Sequence, residues 1–381
     1  MILSEKHTLM RRLFREFAER EFTPELLERL DTTGEFDWEI FRKMARAGFL
    51  GTKIPSEYGG QGGDTLAFVL MIEEFARISP VLAVYANTSS SLGSGPLLTC
   101  GSEEQRKRYL PALASGEKIM VFALTEPGAG SDAGGMRTTA VEKDGGFLLN
   151  GRKCFVSAGP MADWAMVFAR TDLTKQGSKG ISLFLVDLHA DGVSCGEHED
   201  KMGIRGYPTS DLLFYNVHVP GENLLGPLHN GFATAMKTLD AGRLAIAAQA
   251  LGIAQGCLDE ATRYAKTRKQ FGKSISSFQG VSFMLADMAT EIEAARELIY
   301  NTAVLKDCDE KQASVRCAMA KYYAGEMCNR AAYKAVQIFG GSGYIRGSRV
   351  ERLYRDARIT SIYEGTSQIQ QVVISNHLLR G

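Results

Sequence analysis

The stretch Val121-Phe122-Ala123-Leu124-Thr125-Glu126-Pro127-Gly128-Ala129-Gly130-Ser131-Asp132 marks where the pattern of this chain changes. Before it, Leu9, Leu13, Phe14 and Phe17, then Phe41, Met44 and Ala45, recur at helical spacing among charged residues. That spacing gathers one apolar stripe on each helix, so residues 1–120 read as a helical domain. The glycine-rich break at 58–64 reads as a turn ahead of a further helix over 65–77. After Val121 the apolar runs shorten and fill with aromatic and β-branched residues, at 146–149, 164–169, 181–186 and 212–219. Asp144-Gly145 and Asn150-Gly151 lie between such runs and carry the residue types that tight hairpins need. Residues 121–229 therefore read as an antiparallel β domain. From residue 230 the helical stripes return over 233–266, 278–305 and 311–338, long enough for an up-and-down bundle over 230–381.

Composition narrows the function. Lys+Arg and Asp+Glu number 44 each, so no global charge draws the chain to nucleic acid or an anionic membrane. Seven scattered cysteines without a Cys-x-x-Cys pair suit reduced thiols in a cytoplasm better than disulfides or structural zinc. The N-terminus turns charged at once, unlike a signal peptide. The longest apolar stretch, 244–254, is interrupted by Gln249 and is too short to span a bilayer. A soluble cytoplasmic protein without membrane insertion is expected.

Familiar catalytic patterns are missing. No Gly-x-Gly-x-x-Gly joins a strand to a helix, which disfavours a Rossmann domain. His189, Cys195 and His198 lie close in sequence but lack a fourth ligand, so no metal is expected. No Gly-x-Ser-x-Gly elbow anchors a Ser-His-Asp triad.

Three segments stand out. In 124–132, closely spaced Gly and Ser let backbone amides approach a polar ligand, and Thr125 and Ser131 can donate hydrogen bonds; a simple strand-to-loop exit would look the same. Arg268 and Phe271 can hold a phosphate and cover a ring, although a basic helix C-terminus reads alike. Tyr363-Glu364-Gly365-Thr366-Ser367-Gln368 places a carboxylate beside glycine at a helix edge. The alternative there is a capped helix start, with Thr366 or Ser367 as the cap.

In this order, and with 150–157, 239–244 and 337–343, the segments resemble the acyl-CoA dehydrogenase family over nearly the whole length. The resemblance implies a mainly α fold with a middle β-barrel-like domain and a C-terminal four-helix bundle. It implies a homotetramer with one FAD per subunit. Phe122, Leu124, Thr125, Phe155 and Ser157 would meet the flavin. Arg268, Phe271, Gln337 and Gly341 would grip the FAD of a neighbouring subunit, and Thr366 and Gln368 their own. Ser131, Asp240 and Arg243 would line the path of the CoA thioester, with Tyr363 and Gly365 also binding the substrate. Phe155 and Ser157 stand where the family often has Trp and Thr, keeping the ring and the hydroxyl.

Glu364 would be the base taking the α-proton while hydride leaves the β-carbon for the flavin. Some branches place the base immediately before the Arg of an Asp-x-x-Arg motif, where this chain has Gly242. The resemblance implies α,β-dehydrogenation of an acyl-CoA to the 2-enoyl-CoA, with electrons passed to an electron-transferring flavoprotein. The chain is similar to butyryl-type dehydrogenases, and also to flavoprotein enoyl-CoA reductases of the caffeyl-CoA type, which run the chemistry in reverse. An acyl-CoA oxidase usually carries an extra C-terminal domain, whereas this chain ends at Gly381. The hydroxyl-rich 85–91 suggests a polar, aromatic or cyclic acyl group, or a helix packed closely on its neighbour. No Arg or Lys lies between Arg77 and Arg106, which argues against a dicarboxylic substrate.

Overall fold

The computed structural model describes residues 1–380. Helices come first: α1 (Glu5–Glu21), α2 (Pro24–Thr33), α3 (Trp38–Arg46), α4 (Thr65–Ile78), α5 (Pro80–Asn87), α6 (Gly95–Cys100) and α7 (Glu103–Ala114). Their starts are written in capping residues, which satisfy otherwise orphaned N–H groups. Thr23 and Asp64 accept from Leu26 and Ala67, and Ser102 with Gln105 forms a reciprocal capping box.

A sheet follows, built from β1 (Met120–Ala123), β2 (Thr139–Lys143), β3 (Gly146–Ser157), β4 (Trp164–Arg170), β5 (Ile181–Asp187), β6 (Val193–Cys195) and β7 (Thr209–Pro220). The chain then returns to helix in α8 (Gly231–Thr267), turns through a ribbon of β8 (Lys269–Gln270) and β9 (Lys273–Ser274), and continues as α9 (Gln279–Cys308) and α10 (Glu310–Phe339). Short α11 (Gly341–Tyr344), α12 (Arg349–Ala357) and α13 (Ser367–Arg380) complete it. The helical, β, helical order expected from the sequence is the order observed.

Two details of the sheet differ from expectation. The strand order is β1-β4-β2-β3-β7-β6 with β5 on β4, and β1 pairs with β4 in parallel, so the sheet is not wholly antiparallel. Asp144-Gly145 does turn the β2–β3 hairpin, with φ of 51° and 76°. Asn150-Gly151 does not turn. It lies inside β3, at a register shift against β7. A Cβ at Gly151 would fall 2.4 Å from the Thr138 hydroxyl, and Asn150 reaches across to Asn216. The dipeptide marks a bulge where backbone and neighbour come close. A second shift lies between Lys153 and Val156, where Phe155 takes φ 56° and is left 65% exposed.

The helical layers are pinned by buried charge. Glu74 on α4 accepts from Arg11 and Arg15 of α1 at 2.6 and 2.8 Å, and Glu73 accepts from Arg296 and Tyr300 of α9. Burial alone would raise the Glu74 carboxyl, but its two arginines hold it below the usual carboxylate range. α8 crosses α4 at Gly252, where a Cβ would meet the Glu73 carbonyl at 2.3 Å. Bulk at that crossing has nowhere to go. Gly252→Ala should therefore destabilise the protein by about 1–3 kcal/mol, seen as a lower urea midpoint at unchanged slope; an unchanged midpoint contradicts the close crossing.

Candidate functional site

Residues Ile362-Tyr363-Glu364-Gly365-Thr366 form a tight turn ahead of α13, wedged between α8 and α10. Glu364 and Gly365 both have positive φ, 52° and 94°. For a glutamate this is a sparsely populated conformation that surrounding structure must enforce. Lys321 Nζ of α10 donates to the Gly365 carbonyl at 2.6 Å. Gln370 Nε2 of α13 donates to the same carbonyl at 2.9 Å and to that of Glu364 at 3.3 Å. Thr366 Oγ1 accepts from Ile369 N–H, so the helix-cap alternative for this residue is present in the geometry. Ser367 donates to Glu326 instead.

The Glu364 carboxylate lies against α8 at Gly242. A Cβ there would sit 1.6 Å from Oε2 and 2.6 Å from Cδ. Any side chain at 242 and the carboxylate of Glu364 claim the same space. Oε2 is sealed from solvent and has no hydrogen-bond partner among the described residues. Burial pushes the carboxyl up to about 7, while Lys321 and Arg243 draw it back down. Perturbation of this kind, in a strained turn, makes Glu364 a candidate for proton transfer.

Its neighbours are themselves fixed. Arg243 pairs with Asp240 at 2.5 Å, and Asp240 also accepts from Ser314 of α10 at 2.7 Å. The Tyr363 hydroxyl donates to Gln249 Oε1, whose amide donates to the Pro80 carbonyl at 3.1 Å. Tyr363, Glu364, Gly365, Asp240 and Arg243, all expected from the sequence, thus gather around one stretch of α8. The hydroxyl-rich 85–91 runs through α5 into a π-helical turn at Thr88–Leu92, packed on α8. Tyr85, Thr88 and Ser90 find partners there, but polar atoms of Asn87, Ser89, Ser91 and Ser94 are buried without one.

The other expected residues form two further groups. Phe122, Leu124 and Thr125 leave β1 beside the end of β3, where the Cys154 N–H donates to the Thr125 carbonyl and Lys153 Nζ to that of Leu124. Phe155 and Ser157 project from β3 into the open, and Ser131 is exposed on the following loop. The second group sits at the far end of α8. Arg268 and Phe271 are exposed on the β8–β9 ribbon, Phe271 at 92% with φ 52°. Tyr264 stacks on Phe339 at 4.1 Å, which brings the exposed Gln337 and Gly341 to that same end. Gln368 is exposed on the first turn of α13.

Lys321 and Gln370 were not among the expected residues. Lys321 interrupts a stripe of fully buried Cys317, Ala324 and Cys328 at helical spacing. A charge on an apolar stripe implies a buried partner, and that was the available signal. Gln370 offered none.

Family models for the acyl-CoA dehydrogenase N-terminal, middle and C-terminal domains match residues 4–117, 121–217 and 229–379. The chain belongs to the acyl-CoA dehydrogenase family. It is therefore an oxidoreductase of the acyl-CoA CH–CH bond. It is 54% identical to the caffeyl-CoA reductase-Etf complex subunit CarC of Acetobacterium woodii, across the full length of both chains. It is 50% identical to a 3-(aryl)acrylate reductase of Clostridium sporogenes, again over both whole chains. The solved butyryl-CoA dehydrogenase of Megasphaera elsdenii superposes with TM-score 0.96 at 42% identity, covering all of both.

Within an acyl-CoA dehydrogenase, the Gly242–Glu364 contact makes position 242 a steric control on the carboxylate. Gly242→Ala should displace Glu364 and slow flavin bleaching by acyl-CoA about 10²-fold with the fold retained. Wild-type bleaching in that variant, with helix content unchanged by circular dichroism, contradicts the placement.

Proposed function

We propose that this protein interconverts an acyl-CoA thioester and its 2-enoyl-CoA, with Glu364 moving the α-proton. The observation that carries this is the Glu364 carboxyl, whose Oε2 is sealed from solvent without a hydrogen-bond partner and which burial raises to about 7. A carboxyl at that value is half ionised near neutrality. It can act as base in dehydrogenation and as acid in reduction. Withdrawing the α-proton puts negative charge on the thioester carbonyl, which needs donors. The Glu364 N–H finds no protein acceptor among the described residues, so it is available for that oxygen. Asp240, Arg243 and Ser131 are proposed to line the path of the thioester, and Tyr363 and Gly365 the acyl group.

The residues suit FAD, which supplies the hydride acceptor for the β-carbon. Phe155 and Phe271 hold aromatic faces in the open, both from left-handed backbone, and a Cβ on Gly341 would meet nothing within 4 Å. Phe122, Leu124, Thr125, Phe155, Ser157, Thr366 and Gln368 are proposed to hold the chain's own cofactor. Arg268, Phe271, Gln337 and Gly341 cannot serve it from within the same chain. Arg268 follows Gly242 by 26 residues along α8, about 39 Å at helical rise. A second copy would bring that group to the cofactor, which supports an assembly of more than one copy, and the proposed homotetramer is one such assembly. The division into 1–120, 121–229 and 230–381 belongs to the same proposal.

The two reductases named above support the reductive direction on an aryl-acrylyl thioester, with an electron-transferring flavoprotein as the electron partner. The buried, unpaired polar atoms at Asn87, Ser89, Ser91 and Ser94 favour a polar or aromatic acyl group over a plain alkyl chain, because buried polar groups seek partners. Free cysteines at all seven positions suit a cytoplasm, and no helix among the described residues is long and apolar enough to cross a membrane.

Glu364→Gln should keep FAD but lose bleaching by acyl-CoA under anaerobic conditions. In the wild type, the second-order rate of bleaching should rise with pH through about 7, because the base must be ionised. Reduction of enoyl-CoA should fall over the same range. Normal bleaching by the Gln variant would sink the assignment.

A further inference from the structure

Lys321 is fully buried on α10 and no part of the proposed reaction uses it. Its ammonium spends one hydrogen bond on a backbone carbonyl, that of Gly365, at 2.6 Å. That carbonyl belongs to the strained pair Glu364-Gly365. Gln370 reaches the same oxygen from α13, so two helices grip the turn through one atom.

The charges around the turn are few. Arg243 faces the Glu364 carboxylate from α8 but is already paired with Asp240. Glu326 faces Lys321 from its own helix and accepts from Ser367. Tyr363 is the neighbouring titratable group on the turn itself, and it is engaged by Gln249. Lys321 makes no hydrogen bond to a carboxylate among the described residues, and the anion that holds its charge up most is Glu364.

We infer that Lys321 is a positioning residue for the proton-transfer group: it holds the Glu364 turn through the Gly365 carbonyl and so keeps a cation fixed beside that turn. The inference rests on the reading of Glu364 as the proton-transfer group. Burial raises that carboxyl, and the Lys321 ammonium is the first of the two cations opposing the rise. Lys321 is itself lowered by burial to about 8 and held up by Glu364, so the two groups are mutually dependent. Burying a charge costs desolvation, and a lysine kept here despite that cost points to a task beyond packing.

The test uses the FAD-loaded protein and three variants. Lys321→Met removes donor and charge, Lys321→Gln keeps a neutral donor, and Lys321→Arg keeps both. The pH midpoint of bleaching should move up by about one unit in the Met and Gln variants, and return toward wild type in the Arg variant. A second readout needs no turnover: the infrared titration of the carboxyl band that disappears in Glu364→Gln should show the same shift. A purely structural lysine would lower FAD occupancy or stability without moving either midpoint, and that result overturns the inference. Where Lys321→Met fails to accumulate, the Gln and Arg variants decide, with a wild-type midpoint in Gln again overturning it. Loss of the base reading itself is distinguished by Glu364→Gln bleaching normally.

Discussion

A carboxylate pressed onto the Cα of a glycine inside a long helix is the constraint on which this site depends. Glu364 fits only because residue 242 has no side chain, and it stays only because its turn is gripped from two helices. The low-dielectric wall so formed keeps the carboxyl near neutrality in its titration. A more exposed glutamate would be fully ionised and a weaker base; a charge buried without cations nearby would stay protonated.

The scaffold serves that contact. α8 supplies Gly242 and Arg243 beside the carboxylate, with Asp240 pairing Arg243, and its close crossing with α4 at Gly252 fixes its height in the layer. α10 supplies Lys321 and Ser314, which tie the turn and Asp240 to a second helix. The same α8 carries Arg268 at its far end, too distant to act on the same turn. One helix thus carries residues for two separate candidate sites.

Much of this was legible in the sequence. The long helices declared themselves by apolar stripes, and Asp144-Gly145 by its demand for positive φ. Asn150-Gly151 is a dipeptide of the same turn-forming type and misled, because what fixes it is Thr138 and Asn216, neither adjacent in sequence. The parallel pairing of β1 with β4 was equally hidden, since pairing depends on a partner far along the chain. Glu364 was found through its motif and Gly242 by its position in Asp-x-x-Arg, but the contact between them was not. Lys321 left a trace as a charge on an apolar stripe. Its partner, a backbone carbonyl, has no sequence signature.

The central claim is that Glu364 transfers the proton at the α-carbon. Its most direct measurement is the anaerobic rate of flavin reduction by acyl-CoA deuterated at C2, compared with unlabelled and C3-deuterated substrate. With a C2-dideuterated substrate, a primary isotope effect and release of one of the two deuteriums to water are expected in the wild type, and loss of that release in Glu364→Gln. Release of C2 deuterium by the Gln variant at the wild-type rate would contradict the role of Glu364.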